Sequence, residues 1–138
     1  MRVSKLLRYL ATLCALACVL AGCSKSYGDA TRSAVDNMRQ VIETYNKATP
    51  SDLSAMASVC STAYDDLTKD SSSLVTSKPP SKYRAEVSQL RAAYRAAKQG
   101  FSECVRASRT LNTALSADAQ QKIQFANRAI SKARSLDR

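Results

Sequence analysis

Cysteine is the residue type in this sequence with the widest choice of chemistry, and its five copies are Cys14, Cys18, Cys23, Cys60 and Cys104. A cysteine side chain can form a thioether, a disulfide or a bond to a soft metal. The sequence contains no histidine, so it lacks the usual general base and the commonest metal ligand. Thioether and disulfide formation are therefore the reactions that the residue types favour.

Cys23 lies at the end of an N-terminal segment typical of exported proteins. Three cations precede an apolar run at positions 9–20. A charged start followed by a short apolar run is the layout of a secretory signal. About a dozen apolar residues are too few for a helix that crosses a bilayer. The run ends in Leu20-Ala21-Gly22-Cys23, which resembles the lipobox of bacterial lipoproteins.

The lipoprotein resemblance implies that the Cys23 thiol receives a diacylglycerol and that a peptidase cuts after Gly22. It predicts a signal peptide at 1–22, a lipidated tether at 23–30 and a folded domain at 31–138. Two acyl chains hold a protein stably on a bilayer. We therefore expect a cell-membrane protein, anchored through Cys23 on the extracytoplasmic side. The alternative is an ordinary cleaved signal followed by a chance cysteine.

Cys60 and Cys104 are the two thiols that this processing leaves, and an oxidising compartment favours their pairing. A tight helical hairpin would leave them about 15 Å apart along the helix axis. The two cysteines lie at the same level along the bundle axis if the second helix runs to Val75 and Pro79-Pro80 hold an extended segment. Such a segment advances about 3.1 Å per residue. We predict a Cys60–Cys104 disulfide, with two buried free thiols as the alternative.

Other reactive patterns in the sequence have simpler interpretations. Asp65, Asp66 and Asp70 could hold a cation weakly, but neighbouring acids on a helix are usually solvated. Cys60 together with Met56, and with Met38 of the first helix, suggests a soft metal such as Cu(I), although such residues are more often core. The mature chain has too few glycines for a phosphate-binding loop. These observations predict a non-enzymatic protein with no catalytic residue, no metal and no cofactor.

Apolar residues recur at helical spacing along the whole mature chain. The first predicted helix begins at Thr31 and is stopped by Pro50, and Ser51 is the expected cap of the second. The predicted inner faces of these two helices are Val35, Met38, Ile42 and Tyr45, and then Leu53, Met56, Cys60, Ala63, Leu67 and Leu74. The tyrosines Tyr45, Tyr64, Tyr83 and Tyr94 lie on or beside the stripes and are interpreted as packing residues.

The third predicted helix has the most regular period, with apolar steps of four and three from Tyr83 to Leu115. A repeat of 3.5 residues is typical of helices in a bundle or coiled coil. Gly100 lies within it and indicates a bend or a close helix contact. Ser116 is the expected cap of a fourth helix, whose predicted inner face is Ala119, Ile123, Ala126, Ile130 and Ala133. The sequence therefore predicts an all-α antiparallel four-helix bundle.

Positive charge is concentrated in the C-terminal half of the mature chain. Residues 23–77 carry five cations and seven acids, whereas residues 78–138 carry thirteen cations and four acids. We assign the binding of an anionic partner to Arg91, Arg95, Arg128 and Lys132. The expected partners are anionic lipid, a wall polymer or an acidic protein, and export argues against nucleic acid. The alternative is a basic surface that serves solubility alone.

Three functions follow from these features. The first is a membrane-anchored, non-enzymatic bundle that binds or scaffolds a partner in the cell envelope. The second is a subunit whose long third helix packs in a homo- or hetero-oligomer, which would leave apolar surface exposed on the isolated fold. The third is a small-ligand carrier, which requires a cavity among the helices.

Overall fold

The computed structural model of the 138-residue chain describes residues 28–48, 52–71, 73–76 and 78–136. The predicted signal peptide and the predicted lipidation site, Cys23, lie outside these residues. Contacts divide the chain into two units, Met1–Arg32 and Ser33–Arg138. The architecture below is that of the second unit, and it confirms the predicted all-α four-helix bundle.

Four main helices and two short ones make up the described chain. Helix α1 covers residues 28–47, and so it already includes the last residues of the segment predicted as tether. Helix α2 runs over Met56–Ser71 and the single turn α3 over Ser73–Thr76. A 3₁₀ turn at Ser81–Tyr83 leads into the long helix α4, Arg84–Thr110. Helix α5, Thr113–Leu136, follows.

Pairs of contacting residues show that consecutive helices are antiparallel, because one number rises along the chain as the other falls. Two contacts join α2 and α3 to α4. Cys60 is bonded to Cys104, and the Nε of Arg91 donates to the carbonyl oxygen of Leu74 at 3.0 Å. Asn37 of α1 donates to the hydroxyl of Ser71 near the end of α2 at 3.1 Å. Glu103 of α4 pairs with Lys122 of α5, and the next residue, Cys104, packs with Ala119. The order of the four main helices is therefore up, down, up, down.

The core lies among the four main helices and is rich in alanine, as the sequence predicts. Met38, Leu67, Leu90 and Phe101 are among its large, fully buried side chains. Several buried alanines of α4 and α5 belong to the same core cluster. The rings of Tyr45 and Phe101 meet edge to face with centroids 5.3 Å apart, a favourable arrangement for an aromatic pair. Burial raises the pKa of the Tyr45 phenol.

The second helix begins later than predicted because its first turn is irregular. Asp52 accepts hydrogen bonds from the Ser54 hydroxyl at 2.6 Å and from the Ala55 amide at 2.8 Å. These bonds lower the pKa of the Asp52 carboxyl, because they stabilise its charged form. Regular α-helix then starts at Met56. The predicted cap, Ser51, lies outside the described residues.

The third helix ends earlier than predicted, and the expectation that its stripe continues to Leu115 is wrong. Helix α4 stops at Thr110, and Leu111 takes a left-handed conformation with φ 50°. The Leu111 side chain is 65% exposed. The predicted cap of the last helix is also wrong, because the side chain of Asn112, and not that of Ser116, accepts a hydrogen bond from the Leu115 amide at 3.0 Å.

Candidate functional site

Cys60 and Cys104 form a disulfide that joins α2 to α4, with their Cα atoms 6.0 Å apart. This is the pairing that the sequence predicts. Both cysteines are buried and pack with Ala119 of α5. Pro80, the second of the paired prolines on the path between them, has φ −55° and ψ 152°, which are the polyproline II angles expected there. The bond fixes the register of α2 against α4 and so determines which side chains of the two helices face each other near it.

A groove lined by cations runs between α2 and α4 beside this disulfide. Two adjoining open, shallow depressions of about 410 and 430 Å³ share Tyr64, Ser102 and Arg106. We call the continuous feature the basic groove and define it by Ser61 and Tyr64 of α2 and by Arg95, Lys98, Ser102, Arg106 and Arg109 of α4. The arginines and the lysine are exposed, whereas Ser61 and Tyr64 are half-buried.

Helical geometry explains why these cations lie together. Positions 95, 98, 102, 106 and 109 follow one another by three or four residues, so they form one stripe along α4. The apolar stripe with Leu90, Phe101 and Cys104 faces the core on another side of the same helix. Lys98 places its Nζ 5.9 Å from the ring centroid of Tyr64, within the range of a cation–π contact. Tyr64 is therefore the aromatic wall of the groove as well as a packing residue.

The acid in the groove lining, Glu103, is already paired with a cation of the last helix. Lys122 donates to Glu103 Oε2 and to Asp118 Oδ2, each at 2.6 Å. The hydrogen bonds to Asp118 and then to Glu103 raise the pKa of Lys122. Among the described residues, Arg95, Arg106 and Arg109 form no ion pair. The basic groove therefore keeps an excess of positive charge.

The predicted anion-binding residues fall on two different parts of the fold. Arg95 lines the basic groove, whereas Arg91 is half-buried and its guanidinium donates to the Leu74 carbonyl. Arg91 thus has a structural contact that the sequence does not reveal. Arg128 and Lys132 are exposed on α5, away from the groove between α2 and α4. Of the four residues, Arg95 is the one that the structure places in the groove.

Lys98, Arg106 and Arg109 are groove residues that the sequence analysis did not select. Their spacing on α4 was visible in the sequence, since all three lie off the apolar stripe. What the sequence did not show is that α2 lies beside this stripe and turns it into the wall of a groove. Tyr64 was interpreted only as a packing residue for the same reason.

The remaining surface features bear on the other two functions that the sequence suggested. Large apolar side chains exposed in the described chain are Val75, Leu111, Phe125 and Leu136, and none of these lies in α4. A cleft of about 510 Å³ lies between α1 and α2, with Asn37, Thr44, Thr62 and Asp66 among its polar lining.

The described residues contain no cluster of metal-ligating side chains. None of the described helices has the length and apolar character that crossing a membrane requires.

Comparison with known proteins leaves the site to be interpreted from its own chemistry. No protein-family model, no curated protein and no solved structure matches the chain.

Proposed function

We propose that this chain is a membrane-anchored, non-enzymatic lipoprotein of the bacterial cell envelope that binds an anionic partner through its basic C-terminal half. The anchor is supported by the lipobox-like Leu20-Ala21-Gly22-Cys23 and by the short apolar run before it. These residues lie outside the described structure. Two acyl chains on Cys23 would keep the bundle close to the bilayer, where acidic lipid and wall polymers are concentrated.

The observation that carries the binding function is the basic groove. Its four cations lie on one side of α4, and the acid nearby, Glu103, is neutralised by Lys122. A surface that serves solubility does not need its cations gathered in one row beside a groove, because charges spread over the surface achieve the same. Clustered cations beside a concave wall instead attract an anionic neighbour, since the field of one sign is focused there.

The test is binding of the mature protein, extracted in neutral detergent, to immobilised wall polymer and to immobilised phosphatidylglycerol. The double variant Arg95→Glu/Arg128→Glu removes two of the cations assigned to the partner. Lys47→Glu/Lys69→Glu is the matched control, because it changes the net charge equally at exposed cations of the other half. We expect the first variant to bind several-fold more weakly and the control to bind like the wild type.

Salt provides an independent check on the same samples. The Debye length falls from about 10 Å at 0.1 M to about 3 Å at 1 M salt, so wild-type binding should fall steeply over this range. Lys132→Glu is expected to add to the effect of the double variant. For Arg91→Glu, the binding and the melting temperature are both measured, because the Arg91 guanidinium also donates a hydrogen bond to the Leu74 carbonyl. Binding that ignores both salt and the Arg95/Arg128 pair would leave solubility as the role of these cations.

A further inference from the structure

The basic groove has the shape and the charge spacing of a site for a chain of anions rather than for a single one. We propose that it binds a linear phosphodiester polymer, laid along α4 between α2 and the row of cations. This inference rests on the proposed function, because it names the site and the chemical class of the anionic partner. It goes further in committing to one groove and one kind of ligand.

The first argument is the linear arrangement of the cations. Arg95 and Arg109 are fourteen residues apart on one straight helix, which is about 21 Å at 1.5 Å per residue. Lys98 and Arg106 lie between them on the same stripe. One phosphate group can contact only neighbouring members of such a row. A polymer with an anion in every repeat can contact all four, and each contact releases a counterion.

The second argument is the chemistry of the donors. An arginine guanidinium offers a planar pair of N–H groups that matches two phosphate oxygens. Three of the four cations in the groove are arginines. Ser61 and Ser102 add hydroxyl groups, which can hydrogen-bond to phosphate oxygens or to the hydroxyls of a polyol backbone. The hydroxyl of Thr110 is already used, since it donates to the Arg106 carbonyl at 2.8 Å.

The third argument is the shape of the groove, which separates a polymer from the other anionic neighbours. Its two depressions of about 410 and 430 Å³ adjoin along α4 and share Tyr64, Ser102 and Arg106, so the open space is elongated in the direction of the helix. An extended chain can lie along this space, whereas an acidic helix is about 10 Å wide with its side chains and would rest on the rim. A bilayer surface is flat and meets convex parts of a protein. Neither of these partners explains why the cations border a concave wall.

The experiment compares two triple variants of the mature lipidated protein in neutral detergent. Arg95→Gln/Arg106→Gln/Arg109→Gln removes three cations from the basic groove. Lys47→Gln/Lys69→Gln/Lys78→Gln removes three exposed cations that lie outside the basic groove and outside the residues assigned to the partner, and it leaves the same net charge. The probe is poly(glycerol phosphate), and the controls are inorganic phosphate, polyglutamate of similar length, and phosphatidylglycerol added to the same micelles. Circular dichroism checks that both variants remain folded.

We expect the groove variant to bind the polymer at least tenfold more weakly and the Lys47/Lys69/Lys78 variant to change binding less than threefold. The slope of log affinity against log salt should fall by about 2 for the groove variant, since each phosphate contact on a single strand contributes about 0.7. Polyglutamate and inorganic phosphate should bind much more weakly than the polymer. Phosphatidylglycerol should not displace the polymer at equal phosphate concentration.

Several results would overturn the inference and leave the proposed function intact. Equal losses in the two triple variants would mean that diffuse charge, and not the groove, holds the ligand. Inorganic phosphate as effective as the polymer would indicate a site for one anion. Polyglutamate or phosphatidylglycerol binding more tightly than the polymer would assign the surface to an acidic protein or to lipid. If no anionic probe binds the wild type at low salt, the proposed function fails together with the groove.

Discussion

Gly100 of α4 and Ile123 of α5 lie so close that a Cβ atom on Gly100 would be 2.8 Å from Ile123 Cγ1. The same Cβ would be 2.9 Å from the carbonyl oxygen of Ala119, a backbone atom that cannot rotate away. The glycine is therefore required by the approach of the two helices. It confirms one of the two interpretations that its place within a helix suggested, the close contact.

Gly100→Ala should destabilise the bundle although alanine is the better helix former. Alanine gains up to about 1 kcal/mol of helix propensity, but overpacking a tight contact costs about 1–3 kcal/mol. We expect a net loss of about 1–2 kcal/mol in the free energy of unfolding by urea. Ser88→Ala is the control, because Ser88 is exposed on the same helix and should change stability by less than about 0.5 kcal/mol. A Gly100→Ala protein more stable than the wild type would contradict the close contact.

Ser108→Ala should stabilise the protein, in contrast to Gly100→Ala. Ser108 is 1% exposed, and its hydroxyl has no hydrogen-bond partner among the described residues. An unsatisfied buried polar group costs about 1–3 kcal/mol. Ser108→Ala should therefore stabilise the protein by about 1 kcal/mol in urea denaturation, after subtraction of the gain measured for Ser88→Ala. A loss of stability relative to that control would show that the hydroxyl is satisfied in solution.

The fold was predictable because the apolar stripes keep one helical period for many turns. The Cys60–Cys104 register followed from helix rise and from the extended conformation that paired prolines impose. These are properties of the local chain, and sequence carries them directly.

The end of α4 was missed because the apolar pattern continues past it without a break. Leu111 continues the stripe in sequence, yet the chain turns at this residue in a left-handed conformation that usually belongs to glycine or asparagine. Asn112 was the available signal, since asparagine is among the best helix caps. The basic groove was missed for another reason. It depends on which side of α4 receives α2, and that is decided by packing between distant segments.

Lys122 should contribute stability that disappears at high pH. Its folded pKa is raised by Asp118 and Glu103, so the contribution is fully present below the unfolded lysine pKa of about 10.4. It is lost as the pH rises through the higher, folded value. We expect the melting temperature of Lys122→Met to lie below that of the wild type at pH 9 and to approach it once the pH exceeds the folded pKa of Lys122. Lys132→Met is the control, because Lys132 is exposed and has no ion pair in the described chain. A difference in melting temperature between the wild type and Lys122→Met that stays constant with pH would contradict the prediction.

Cys23 should carry the lipid in the mature protein. Mass spectrometry of the protein from its native membrane is expected to show a chain that begins at Cys23 and carries a diacylglycerol thioether. Cys23→Ala removes the thiol that accepts the lipid, so this variant should accumulate as the uncut precursor or be released after cleavage elsewhere. Cys60→Ala serves as the control and should be lipidated normally. An unmodified Cys23 in the native protein would reject the lipoprotein assignment.

The Cys60–Cys104 disulfide should be the main covalent support of an alanine-rich core. It closes a loop with a sequence separation of 44 residues, for which the chain-entropy relation gives about 4 kcal/mol. Reduction by dithiothreitol should therefore lower the melting temperature markedly, and Cys60→Ala/Cys104→Ala should melt at a similarly low temperature. The double variant should no longer respond to the reductant, which separates the effect of the bond from other effects of reduction. Thiol counting on the denatured, unreduced mature protein gives the direct answer. No free thiol is expected if Cys23 carries the proposed lipid, because Cys60 and Cys104 are bonded to each other, whereas two free thiols per chain would reject the bridge.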